Sequence, residues 1–190
     1  MNKTLKWILI AAGGLVVIFI IVPLILGILT GVNLNKSIEM AKKQEVQTYF
    51  NPQKEIKFQY PGTWNVDKKI VDGSKPMIAK IDRSENTYLA LLHELNNKNY
   101  DLEECGKGLM DGFEFAPGFS LVNAQNITIN GIAAYEVIAN FEGGVKARVI
   151  CFVTPDGGAR LFTIGYYSTQ DEFDKYLIEF DGILQTVETK

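Results

Sequence analysis

From Trp7 to Leu29 the chain runs for 23 residues without a charged side chain, and the only charges before Gly31 are Lys3 and Lys6. Such a segment must be kept out of water. As a helix rising about 1.5 Å per residue it reaches roughly 34 Å, enough to cross a hydrocarbon core of about 30 Å with a slight tilt. Trp7 then falls at an interface, where its amphipathic ring is at home. Gly13, Gly14, Pro23 and Gly27 are tolerated in a membrane helix, where no water competes for backbone hydrogen bonds. Gly27 and Gly31 form one small-xxx-small pair, read here as incidental. A secretory signal has an apolar region of only about 7–15 residues before a small-residue cleavage site. No cysteine near the end of the run offers lipoprotein-type processing. The sequence therefore predicts a short tail over 1–6, an uncleaved transmembrane helix over 7–30, a juxtamembrane linker over 31–52 and a folded domain over 53–190.

Removing Lys3 and Lys6 from the 19 basic residues leaves 17 against 22 acidic ones, a net charge of −5 for the rest of the chain. With Arg83, Arg148 and Arg160 scattered, this balance argues against a nucleic-acid partner, which needs clustered cations. Lys36, Lys42 and Lys43 lie nearest the bilayer and offer weak contact with anionic headgroups. Lysines flank the apolar run on both sides and the α-amino group evens the count, so charge alone does not orient it. Cys105 and Cys151 show none of the dense pairing of a disulfide scaffold, and two buried free thiols are expected. The domain must therefore stand on its core.

Beyond a polar stretch from Gly31 to Pro52, read as a tether or short surface helix, the periodicity becomes strand-like. Ile56 to Tyr60 alternates apolar and polar and stops at Pro61-Gly62, with Trp64 to Val66 starting a return strand. Further strands are predicted at Met77 to Ile81 and Tyr88 to Leu95. Asp101-x-x-Glu104 is a capping box opening a helix with Leu102, Cys105, Leu109 and Phe113 on one face, ended by Pro117-Gly118. Gly106, Gly108 and Gly112 weaken that helix, so it must rely on packing. Leu121 to Ile129, Ala133 to Phe141, Val145 to Thr154 and Arg160 to Ser168 read as a meander, with turns at Asn130-Gly131, Gly143-Gly144 and Pro155 to Gly158. A closing helix, capped by Thr169 with Glu172 three residues on, carries Phe173, Leu177, Phe180, Leu184 and Val187 along one stripe. The fold class is α+β: an antiparallel sheet of about six to eight strands packed by helices.

Catalytic signatures are missing. His93 is the only histidine, placed in a strand with Leu89, Leu91 and Leu95 on its face, and a structural role hydrogen-bonded within the sheet is expected. A zinc site needs three or four ligands, and no Cys-x-x-Cys or His-x-x-x-His spacing supplies them. None of the serines sits in a Gly-x-Ser-x-Gly elbow. Gly106-Lys107-Gly108 falls within a helix, the wrong context for a phosphate loop, and is read as packing. Glu103-Glu104 and Asp171, Glu172 and Asp174 occupy first turns of helices, where the dipole favours them. No catalytic, metal or cofactor-binding residue is assigned, and no enzymatic activity or cofactor is expected.

Phe58-Gln59-Tyr60-Pro61-Gly62-Thr63-Trp64, followed by the Asn130-Gly131 hairpin, Ala134-Tyr135-Glu136-Val137 and a closing helix from Phe173 through Leu184, resembles the PsbP-like family over residues 45 to 190. Phe58, Tyr60, Pro61 and Trp64 carry the signature and are read as structural. The resemblance implies an α/β/α sandwich and a non-enzymatic binding or assembly module, often on the extracytoplasmic face of a membrane. The family's metal-binding and photosystem-binding residues find no matching motif here, and the N-terminus departs from a cleaved thylakoid-targeting sequence. The resemblance thus points to a plasma-membrane protein, domain outside, docking on another envelope protein or complex. The alternative is a small-ligand or sensory pocket between sheet and helices lined by Tyr88, Tyr135, Tyr166 or Tyr167.

Overall fold

Asn130 and Gly131 adopt positive φ, 44° and 82°, the pair of left-handed residues that a two-residue hairpin needs to match strand twist. That turn joins β6 (Ser120–Ile129) to β7 (Ile132–Phe141), and a 3-10 turn at Glu142–Gly144 leads into β8 (Val145–Val153) and then β9 (Arg160–Thr169). The computed structural model describes residues 45–67, 77–154 and 160–189. The expected transmembrane helix and the Pro155 to Gly158 turn lie outside the described residues. Within the described residues no helix is long and apolar enough to cross a membrane.

The earlier strands are β1 (Val46–Asn51), β2 (Ile56–Pro61), β3 (Asn65–Val66), β4 (Met77–Ser84) and β5 (Thr87–Leu95), and the last is β10 (Glu188–Thr189). They form an antiparallel sheet of seven strands, ordered β3-β4-β5-β9-β8-β7-β6, and a smaller one ordered β1-β2-β10. Two helices complete the described part, α1 (Leu102–Glu114) and α2 (Gln170–Leu184). They lie on opposite faces of the large sheet. Ile150, Phe152, Phe162, Ile164 and Tyr166 pack toward α2 with Phe173 and Phe180 in one buried cluster. The alternate residues Cys151 and Tyr135 meet α1 instead.

Two local readings are corrected. Val46–Asn51, expected as tether or surface helix, is strand β1, paired with β2 from Val46↔Pro61 to Asn51↔Ile56. Its polar neighbourhood hides a short run whose one anchor, Tyr49, stacks on Phe58 at 5.1 Å and donates its hydroxyl to the Ile78 carbonyl at 3.0 Å. Trp64 to Val66 does not return onto β2. Asn65 and Val66 pair with Asp82 and Ile81 in the large sheet, so the chain changes sheets at a fully buried Trp64.

Helix α1 opens with the expected capping box, the Glu104 amide donating to Asp101 Oδ1 at 2.9 Å and the Asp101 amide to Glu104 Oε2 at 3.0 Å. A Cβ on Gly106 would stand 2.7 Å from the Tyr135 ring, so glycine here sets how closely helix and sheet approach. Gly108 and Gly112 have open space around them and give no such return for their low helix propensity. The thiol expectation is overturned next door: Cys105 and Cys151 are joined in a disulfide, with Cα atoms 6.3 Å apart, a normal bridging separation. Neighbours 46 residues apart in sequence become adjacent because the capping box and Gly106 hold α1 directly over β8.

Helix α2 starts after Thr169, but the Thr169 side chain makes no cap hydrogen bond. Glu172, expected to complete a capping box, instead accepts from Ser84 Oγ at 2.9 Å and Thr87 Oγ1 at 3.0 Å. Tertiary donors on β4 and β5 outcompete the local cap, and they tie the helix start to the sheet.

Replacing both cysteines by serine is expected to lower stability by about 4 kcal/mol, the chain-entropy value for a loop of this length. Urea unfolding of the oxidised wild type, the reduced wild type and the double variant checks it, the last two converging on one lower midpoint.

Candidate functional site

The residues that carry the sequence signature lie inside the protein. Phe58 and Trp64 are fully buried and Tyr60 nearly so, while Pro61 ends β2 and its carbonyl accepts the Trp64 amide at 2.9 Å. The Trp64 indole Nε1 donates to Glu179 Oε2 on α2 at 2.8 Å, and Arg83 Nε reaches the same oxygen at 3.2 Å. Arg83 also lies over the Tyr176 ring, 4.4 Å from its centroid. The signature is thus a joint between the two sheets and α2.

A second polar group lies farther along the same face. Arg148 on β8 bonds Glu136 through Nε at 2.6 Å and pairs with Asp181 of α2, while Gln125 donates to the other Glu136 oxygen at 2.8 Å. Glu136 is only 2% exposed, so its charge is held by these donors. Hydrogen bonds from Ser84 and then Thr87 hold the Glu172 carboxyl below the usual carboxylate range.

His93 is buried on the α2 face beside Phe162, ring centroids 5.1 Å apart. Nε2 has no partner. Burial, and then the positive charges of Lys54 and Arg160, depress its proton affinity. Leu95, two residues on at the end of β5, is 65% exposed.

The four tyrosines proposed to line a ligand pocket do not converge. Tyr166 is buried against α2 and donates to the Phe173 carbonyl at 2.8 Å. Tyr88 and Tyr167 stack on one another at 5.1 Å on the opposite face, and burial pushes the Tyr167 hydroxyl up to about 12. Tyr135 stands apart from these under α1. Among the described residues no group of three His, Cys, Asp or Glu side chains is placed to hold a metal ion.

Tyr135 does border an open groove, of about 620 Å³, between α1 and β6, with Leu102 and Met110 on the helix side and Asn126 on the strand. Phe115 at the end of α1 is 89% exposed, and Leu121 and Val122 at the start of β6 are 46% and 53% exposed. Sequence periodicity placed these residues in their elements without marking them as a surface. The missed signal is chemical: between Glu114 and Glu136 no residue carries a charge.

Sheet, opposed helices and buried joint define an α/β/α sandwich. The chain belongs to the PsbP-like protein family, whose profile matches residues 9–186. Three solved structures share the fold. The cyanobacterial PsbP (CyanoP) of Synechocystis sp. PCC 6803 aligns with a TM-score of 0.56 at 14% identity, over 76% of this chain and 92% of that one. LpqN, involved in cell envelope biogenesis of Mycobacterium tuberculosis, aligns at 0.59 with 14% identity, over 77% and 92%. The Saccharomyces cerevisiae Ran-binding protein Mog1p aligns at 0.52 with 8% identity, over 76% and 95%. No curated protein matches the chain.

Two titrations test this polar layer. Protonating a buried His93 opposes folding, so its contribution is complete above about pH 6.5, the ordinary histidine value, and is lost as pH falls below it. His93→Phe is expected to flatten the decline in urea midpoint between pH 6.5 and pH 5. Glu172 behaves as a depressed carboxylate, its contribution present above the ordinary carboxylate range and lost as pH falls through its lowered value. Ser84→Ala should raise its pKa, read by carboxyl-carbon NMR.

Proposed function

We propose that this protein is a non-enzymatic interaction or assembly module, tethered to the plasma membrane by the apolar segment at 7–30 and presenting its domain on the extracytoplasmic side to another envelope protein or complex. The observation that carries the reading is the exposure of three large apolar side chains, Phe115 at the end of α1 and Leu121 and Val122 at the start of β6, on a domain whose carboxylates Glu136, Glu172 and Glu179 are engaged internally. Large apolar side chains left in water between the end of one element and the start of the next fit an interaction surface.

Three further facts support it. The Cys105–Cys151 bridge suits an oxidising compartment. Family membership and the likeness to LpqN, an envelope-biogenesis protein, agree with an envelope role, and Mog1p shows the same fold in a Ran-binding protein. The domain's acidity argues for a protein rather than a nucleic acid as partner.

Photo-crosslinkers placed at positions 115 and 122 of the full-length protein in native membranes should capture the same protein repeatedly. External protease on intact cells should remove the domain. Capture of nothing from either position, together with a domain cut only after lysis, would end the proposal.

A further inference from the structure

We propose that β6 is an acceptor for strand addition, taking an extended segment of the partner protein in which apolar and basic residues alternate. The inference rests on the interaction reading above and specifies its surface and partner chemistry. β6 is a ten-residue terminal strand that, among the described residues, pairs only with β7. The other end of that sheet closes with β3, two residues long. Folded proteins blunt long edges with charge, proline, bulges or shortness. β6 has neither charge nor proline, and its one such feature is an irregularity between Leu121 and Asn123.

The backbone of this edge faces outward in a definable pattern. A two-residue Asn130-Gly131 turn makes Ile129 and Ile132 the closing hydrogen-bonded pair, and bonding then alternates along the ladder. Ile127 and Gln125 bond β7 in turn, while Thr128, Asn126 and Ala124 turn their amides and carbonyls away from it. An added strand would bond these groups, with alternate side chains entering the groove between α1 and β6, as in peptide recognition by sheet extension.

Charge selects the occupant. Along α1 stand Asp101, Glu103, Glu104, Asp111 and Glu114 against Lys107 alone, and the last turn carries no basic residue. Asp111 and Glu114 sit toward the end of the helix where the dipole favours cations, and neither has an ion-pair partner among the described residues. In an added strand, lysine or arginine at every second position would face α1 and complement its carboxylates, while the intervening apolar residues would lie on the other face of the sheet beside Ile127. A second copy fits worse: β6 brings no cation, and two strands paired about a two-fold axis set two acidic α1 helices on the same face of the joined sheet.

The test uses the full-length protein in detergent micelles and two octapeptides, alternating Lys-Val and alternating Glu-Val. The Lys-Val peptide should bind saturably and slow amide exchange at least tenfold at Ala124, Asn126 and Thr128, with the Glu-Val peptide at least tenfold weaker. Asn126→Pro deletes an outward amide but no ladder bond, so it should abolish binding at an unchanged Tm. A Lys-Val peptide N-methylated at alternate amides gives the same test without altering the protein. Absence of binding, binding that survives both changes, or protection confined to another surface would overturn the proposal. So would dimerisation of the free protein through β6. In native membranes, a crosslinker at Ile178 that captures a partner while one at Thr128 does not would remove β6 yet leave the interaction reading standing.

Discussion

Everything in this domain depends on covering one face of the seven-stranded sheet. Leu89, Leu91, Ile150, Phe152, Phe162, Ile164 and Tyr166 present a continuous apolar surface there, and at about 25 cal/mol per Å² its burial dominates the favourable side of folding. No single element is broad enough to cover it. Helix α2 covers part with Phe173 and Phe180, and β2 covers part with Ile56 and Phe58. Trp64 is where the two coverings meet, packed in the core and hydrogen-bonded to α2. The signature is therefore an architectural joint, and its chemistry is that of packing plus one satisfied indole.

Local chemistry was legible in the sequence wherever it acts alone. The capping box of α1, the Asn130-Gly131 turn, four meander strands and the α2 stripe each follow from residues close in the chain. What escaped was decided at long range. Glu172 looks like a capping residue until Ser84 and Thr87 arrive from 88 and 85 residues away. Cys105 and Cys151 look unrelated until α1 is laid across β8. β1 lies in a polar stretch, and only its partner strand makes Val46 to Asn51 extended. The α1–β6 surface was missed for a different cause: an uncharged stretch fits a buried strand and an unblunted edge equally well, and only topology distinguishes them.

The two helices use their carboxylates in opposite ways. On α2, Glu172, Glu179 and Asp181 turn toward donors on the sheet, tying the helix down at several points. On α1, attachment comes from Cys105 and Gly106, and the carboxylates remain outside. One helix spends its charge on cohesion, while the other keeps it available at the surface.

The small sheet holds both terminal strands of the domain, with β2 pairing β1 on one edge and β10 on the other. Val46, where the chain enters, pairs with Pro61 at the open mouth of the β1–β2 hairpin, while the loop end is closed by Asn51 and Ile56. Tension arriving from the N-terminal side would break the ladder rung by rung instead of loading all its rungs together. The outermost strand would then peel as a mechanical fuse before the joint at Trp64 felt any load.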